Sequence, residues 1–279
     1  MWNPFNQNKI RNSDPGKRSL QLITQKNMPF AYIEAYKSLR TNLNFLAGSN
    51  DVHSLVVTST APEESKSNVS VNLALTLAES GKKVVLVDCD LRKPVLHKYL
   101  KAGHNLKGIS NLLSRQAELS DALVSLESFG FDFLPAGTTP PNPSELLSQP
   151  RMQELVNTLR ETYDFVLLDA PPISMVTDAA VIGHVVDGAL FVVRSKYAST
   201  ESVKDAVEKL KDAGVKVLGA VLTRYDVKKS LKRADYGYQY YSSDYSYGTP
   251  PPRPNSSFRS KKRPDIAQNG SLIGEEPEE

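Results

Sequence analysis

Three short runs constrain the fold more than anything else in this chain: LVVTS (55–59), KVVLVD (83–88) and FVLLD (165–169). Each is apolar at nearly consecutive positions instead of alternate ones. A strand with one wet face alternates, whereas a strand apolar throughout is buried on both faces. Such strands need helices above and below, and helical patterns stand between them. SNVSVNLALTLAES (67–80) is apolar on most sides and closes at Gly81, the residue type that ends helices in the left-handed conformation. Residues 106–123 and 200–214 also read as helices, as does a short stretch near 178–184. Residues 144–163 read as a helical region broken near Pro150. Further strands are expected at 131–137, 188–194 and 216–223. Alternating apolar strands and helices imply an α/β fold, a mainly parallel sheet flanked by helices.

An additional helix precedes the first strand. In FAYIEAYKSLRTNLNFLAG (30–48), Tyr32, Ala35, Tyr36, Leu39, Leu43 and Leu46 recur at helical spacing and give an apolar stripe. Glu34, Lys37 and Arg40 lie on another face. The plain reading is an amphipathic helix packed on the domain. Residues 1–27 are polar and aperiodic and read as a flexible arm. After Tyr225 the pattern stops, and six of the chain's twelve tyrosines fall in YGYQYYSSDYSY (236–247). Residues 226–279 are too polar and too rich in Pro, Ser and charge to build a core, so they read as a disordered tail. The domain proper is thus expected over 28–225. A net charge of +3 is too small to point to nucleic acid. One cysteine, Cys89, allows no disulfide within the chain, which fits a reducing cytoplasm. The first twenty residues lack a signal peptide's apolar core, and no run approaches the ~20 apolar residues that span a bilayer.

The strand ends carry the chemistry. LVVTSTAPEESKSN (55–68) takes an apolar strand through a turn into Lys66-Ser67 and a helix. That is the plan of a loop whose backbone N–H groups cradle phosphates, whose lysine adds charge and whose Ser binds Mg²⁺. Alone it is a weak signal, since a helix-capping Ser beside a solvated Lys looks the same. Asp88 and Asp90 end a second buried strand and Asp169 ends a third. In a parallel sheet these ends share one edge, where ligands bind. Three carboxylates converging on one lysine repel one another unless a cation joins them, and Mg²⁺ with ATP phosphates settles that charge.

At these residues the sequence resembles the cytoplasmic bacterial tyrosine kinases of capsule and exopolysaccharide synthesis, P-loop ATPases of the Walker type related to the partition ATPases. VDCDLRKP (87–94) resembles their second Walker motif, LLDAPP (167–172) their Walker B and GTTPPNPSELL (137–147) the loop between. EAYKSLRTN (34–42) resembles their ring-forming helix. The resemblance implies a P-loop NTPase fold with ATP and Mg²⁺ as cofactors. It implies that Glu64, Ser65, Lys66, Ser67 and Asn68 bind nucleotide, and that Ser67, Asp88 and Asp169 serve the metal. Lys66, Asp88 and Asp90 would be catalytic, and Tyr236, Tyr238, Tyr240, Tyr241, Tyr245 and Tyr247 would be autophosphorylated. Glu34, Lys37 and Arg40 would join subunits in a homo-oligomeric ring, with Lys37 standing where the family has Arg. Implied partners are a membrane-anchored activator and chain-length regulator of polysaccharide export, which would recruit the chain to the inner face of the membrane, and a cognate tyrosine phosphatase.

The chain departs from that pattern in the phosphate loop, which reads Pro62-Glu63-Glu64-Ser65-Lys66-Ser67. Glu63 and Ser65 stand where the family has glycine. A left-handed Ser65 costs ~1–2 kcal/mol, and a Glu63 carboxylate ~4 Å from phosphate repels it by ~1–4 kcal/mol. Two alternatives follow: a catalytically weak or inactive P-loop scaffold of the export machinery, and a partition-type ATPase. The latter class carries an early lysine in the loop where this chain has Thr60 and Ala61.

Overall fold

The computed structural model describes residues 20–104 and 106–225. The tyrosine cluster 236–247 and residues 1–19 lie outside the described residues. In chain order the elements are α1 (Phe30–Asn50), β1 (Ser54–Ser59), α2 (Lys66–Glu79), β2 (Val84–Asp88), α3 (Leu96–Tyr99), α4 (Ile109–Leu113), α5 (Leu119–Ala122), β3 (Val124–Leu126), β4 (Phe131–Leu134), α6 (Pro143–Leu147), α7 (Pro150–Thr162), β5 (Phe165–Asp169), α8 (Asp178–Gly183), β6 (Gly188–Arg194), α9 (Thr200–Asp212) and β7 (Val217–Thr223). The strands form one sheet in the order β3-β4-β2-β5-β1-β6-β7. Every pairing is parallel except the edge pair β3 with β4.

The central strands are apolar throughout because they are buried twice. Val56, Val85, Val87, Val166 and Leu168 pack on one face of the sheet with α7, α8 and α9. Leu55, Val57, Val84, Leu86 and Leu167 pack on the other with α1 and α2. All ten are at most 1% exposed. α2 lies between the sheet and α1, so its residues from Val69 to Leu77 are all buried. Only Tyr36 and Leu43 of the α1 stripe are fully buried, and Ala35 faces outward.

Three local expectations are revised. Residues 106–123 do not make one helix, because α4 stops at a turn in which Arg115 has φ 62° before the short α5 begins. α3 and β3 are too short to leave a periodic pattern. Residues 20–23, which the sequence assigns to the arm, lie against α2. The Ile23 N–H donates to Asn72 Oδ1 at 2.8 Å and the Gln21 N–H to Asn68 Oδ1 at 2.9 Å. Two amides on one face of α2 thus pair a segment that carries no periodicity of its own. Among the described residues no helix is long and apolar enough to cross a membrane.

Candidate active site

Parallel register sets the site. Asp88 and Asp169 are paired residues at the ends of β2 and β5, and Val57 of β1 sits opposite Asp169. The chain leaves β1, turns through residues 60–65 and enters α2 at Lys66, which returns over the same sheet edge. Lys66 Nζ lies 3.1 Å from Asp169 Oδ2 and 3.6 Å from Asp90 Oδ2. Ser67 Oγ donates to Asp169 Oδ2 at 2.6 Å, and Ser70 Oγ to Asp169 Oδ1 at 2.9 Å. Lys66, Ser67, Asp88, Asp90 and Asp169 are therefore brought together. Ser70 is the member that the sequence reading missed. It stands one helical turn after Ser67, so spacing alone could have found it.

The electrostatics follow from burial. Asp88 is 1% exposed. Its pKa is pushed up to about 8, first by burial and then by the Asp169 charge, with Lys66 pulling the other way. Burial also raises Asp90, against the opposing pull of Lys66. For Lys66 burial favours the neutral amine, but Asp169 and Asp90 together outweigh it and raise its pKa. The site thus holds more acid than its one cation neutralises. Among the described residues no group of three His, Cys, Asp or Glu side chains forms an all-protein metal cage. Mg²⁺ does not need one, since it is commonly held by one or two carboxylates plus phosphate oxygens and water.

The phosphate loop has the conformation that glycine would favour, without glycine. Glu63 has φ 68° and Ser65 has φ 72°. Ser65 is the N-cap of α2, yet its side chain makes no capping bond and the first turn carries no acidic residue. An uncapped N-terminus with a lysine on its first turn and a hydroxyl on its second residue fits an anion together with its cation. The buried Thr60 Oγ1 at the start of the loop has no hydrogen-bond partner among the described residues.

Two residues assigned to nucleotide turn elsewhere. The Glu64 carboxylate is buried and accepts from the Ala61 N–H at 2.7 Å and the Arg194 N–H at 3.3 Å. It braces the loop from below and leaves only backbone for a phosphate. Asn68 points away from the loop, with Nδ2 donating to the Tyr32 hydroxyl at 2.8 Å. Both residues kept their place in the motif, but side-chain direction was not legible in it. On α1, Lys37 pairs with Glu34 of the same helix at 2.8 Å. Arg40 Nη1 donates to Thr76 O of α2 at 2.8 Å.

The comparisons with known proteins agree with this geometry. Residues 64–218 match the AAA domain family. The tyrosine-protein kinase YwqD of Bacillus subtilis is 38% identical over 205 residues, which cover 74% of this chain and 85% of that protein. The solved kinase domain of the Escherichia coli tyrosine kinase ETK superposes with a TM-score of 0.68 at 35% identity, covering 77% of this chain and 85% of that one. A more distant likeness is the septum site-determining protein MinD of Pyrococcus horikoshii, solved with Mg-ADP, with a TM-score of 0.54 at 26% identity over 62% of this chain and 71% of that one. With the strand order, the phosphate loop and the convergent aspartates in place, the chain belongs to the bacterial tyrosine-protein kinases.

Proposed function

We propose that this chain is an ATP- and Mg²⁺-dependent protein-tyrosine autokinase that modifies its own cluster Tyr236, Tyr238, Tyr240, Tyr241, Tyr245 and Tyr247 and thereby regulates capsular or exopolysaccharide synthesis and export. The observation that carries this reading is the meeting of Lys66, Ser67, Asp90 and Asp169 within hydrogen-bond and ion-pair reach at the carboxyl edge of the sheet. Mg-ATP supplies the phosphoryl group when bound. Lys66, on the first turn of α2, would balance phosphate charge there, beside the free backbone N–H groups of the helix N-terminus. Ser67, Asp169 and Asp88 would hold the cation. The acceptor is a phenol with an ordinary pKa of ~10, so its proton leaves late and needs a carboxylate to receive it. Asp90 takes that role, because its side chain is 14% exposed and can be reached, whereas Asp88 is 1% exposed.

The remaining roles come from the family. Glu34, Lys37 and Arg40 join subunits into a ring, in which one subunit modifies the tail of the next. A membrane-anchored activator and chain-length regulator brings the chain to the inner face of the cell membrane. A cognate phosphatase resets the tail. Each phosphate adds about −1.5 to −2 charge, so a heavily modified tail repels its neighbours and opens the ring.

The test is mass spectrometry of the purified chain after Mg-ATP, with the activator present. Phosphotyrosine is expected within 236–247 in the wild type and absent in Lys66→Met. An unmodified tail in the wild type overturns the reading. One observation favours the scaffold alternative, namely the non-glycine residues at Glu63 and Ser65. Micromolar ATP binding in calorimetry, abolished by Lys66→Met, would dismiss it.

A further inference from the structure

The loop that carries Asp88 and Asp90 is also held by a cluster outside the group formed by Lys66, Ser67, Ser70 and Asp169. Asp178 is the first residue of α8 and is fully buried. Arg92, two residues beyond Asp90, donates Nε to its Oδ2 at 2.9 Å and Nη2 to its Oδ1 at 3.1 Å. Ser144, in the first turn of α6, donates to the same Oδ1 at 2.5 Å and accepts from Arg92 Nη2 at 2.8 Å. Three separate connections therefore meet on one carboxylate: those after β2, β4 and β5.

Elsewhere in the β2 connection the Cys89 N–H donates to Asp169 O at 2.9 Å and Asp90 pairs with Lys66 at 3.6 Å, and three further bonds are local. The Asp90 N–H reaches Asp88 Oδ1 at 3.2 Å, the Lys93 N–H reaches Asp90 Oδ1 at 3.1 Å, and the Leu96 N–H reaches Asp88 Oδ2 at 3.3 Å. All three use the same aspartates that must serve the metal and the phenol. Beyond the single Cys89 N–H bond, a loop anchored by its own working groups would loosen whenever those groups changed partner. The Arg92 fork is independent of them. We propose that Arg92, Asp178 and Ser144 form a positioning clamp that fixes the Asp88–Asp90 segment relative to Lys66 and Asp169. Arg92 and Asp178 are its essential pair, and the planar fork is needed because a lysine offers one direction where two are used.

The kinetic consequence rests on the kinase reading; a second consequence does not. Cys89 is the chain's only cysteine and sits fully buried between the two aspartates, so its labelling reports opening of this loop without turnover. The experiment measures N-ethylmaleimide labelling of the native full chain, with melting midpoints alongside, for wild type, Arg92→Ala, Arg92→Lys, Ser144→Ala and Asp178→Asn. Arg151→Ala is the control. It removes a bond from Arg151 Nη1 to Leu112 O of 2.8 Å, outside this loop. Arg92→Ala is expected to label ~10-fold or more faster than wild type, as local opening becomes easier. Arg92→Lys should fall between them, and Arg151→Ala should label like wild type. For phosphotyrosine formation Arg92→Ala should lower kcat by ~10- to 100-fold, since small misplacements of reacting groups cost that much, while KM for ATP moves less than ~3-fold. Wild-type labelling in Arg92→Ala overturns the clamp, and so does equal acceleration in Arg151→Ala. Faster labelling in a chain that never forms phosphotyrosine leaves the clamp standing and overturns the kinase reading instead. Should Asp178→Asn fail to fold, the two Arg92 variants still decide.

Discussion

Restoring glycine at positions 63 and 65 separates two effects that the sequence alone runs together. Both residues occupy the left-handed region, with φ 68° at Glu63 and 72° at Ser65. Protein groups hold the loop in this shape: the Glu64 carboxylate accepts from the Ala61 and Arg194 N–H groups, and the Glu63 and Glu64 carbonyls accept from Arg194 Nη1 and Thr223 Oγ1. Whatever strain it carries is therefore borne by folding and is already present before ATP arrives. For Ser65 the strain is ~1–2 kcal/mol. Glycine relieves it but enlarges the unfolded ensemble, at a cost of ~0.4–1 kcal/mol. Ser65→Gly should then stabilise the chain by ~0–1.5 kcal/mol. It should change ATP affinity by less than ~3-fold, which is under 0.7 kcal/mol or so.

Glu63 behaves differently because its penalty is charge. The residue is exposed, so the water value applies, ~1 kcal/mol for a unit charge at ~4 Å. Glu63→Gln, which keeps the left-handed strain, should tighten ATP binding by ~5-fold at low salt. In ~1 M NaCl, where the Debye length is ~3 Å, most of that gain should vanish. Calorimetric titration with Mg-ATP at the two ionic strengths, beside urea unfolding of each variant, makes the comparison. A large affinity gain in Ser65→Gly with no change in stability would refute the reasoning, because it would mean that the loop reaches its shape only on binding.

Three further outcomes follow from the structure. Asp88 is raised to about 8 by burial and then by Asp169, against ~3.9 in an unfolded chain. Between those values the folded state holds the extra proton, so its contribution to stability falls as pH rises from ~4 to ~8. Thermal scans without nucleotide should show Asp88→Asn gaining on wild type from pH 5 to pH 8, and a constant difference would contradict the assignment. Asn72 accepts from the Ile23 N–H and donates to Gln21 O at 2.8 Å each. Asn72→Ala should cost ~1–3 kcal/mol by leaving a buried N–H unpaired, and limited proteolysis should cut first near residues 20–28. Gly137 has φ 80°, and a Cβ there would lie 2.4 Å from Asn111 Oδ1. Gly137→Ala should lower stability by ~2 kcal/mol or more in denaturant unfolding, and a neutral result would mean that the 137–144 connection is looser than its bonds to Asn111 imply.

The fold was legible because its strongest signals are long and periodic. Short continuous apolar runs bounded by turn signals read as doubly covered strands, and two of the three end in an aspartate, Asp88 and Asp169, while the third leads into Lys66-Ser67 on the same edge. That reasoning yielded Lys66, Ser67, Asp88, Asp90 and Asp169 together. It failed where direction, and not position, decides. Glu64 and Asn68 sit inside the motif, yet one turns under the loop and the other toward α1. Ser144 and Asp178 sit far from Arg92 in sequence, and no spacing rule joins them. Buried polar networks of this kind depend on which side chains three loops happen to aim at one point, and a single sequence does not record that.

The missing glycines become intelligible once the loop's support is counted. The Glu64 carboxylate takes the N–H groups of Ala61 and Arg194, and its carbonyl accepts from Thr223 Oγ1 at 2.9 Å. The carbonyl of Glu63 accepts from Arg194 Nη1 at 3.3 Å. These bonds tie the turn to the ends of β6 and β7 on either side of the strained residues. Left-handed non-glycine residues persist where their surroundings over-determine them. In a glycine loop the backbone adopts the phosphate-ready shape because nothing opposes it. Here the same shape is held by an inward carboxylate and two strand ends, which moves the cost from binding to folding and leaves Lys66 and Ser67 where an anion requires them.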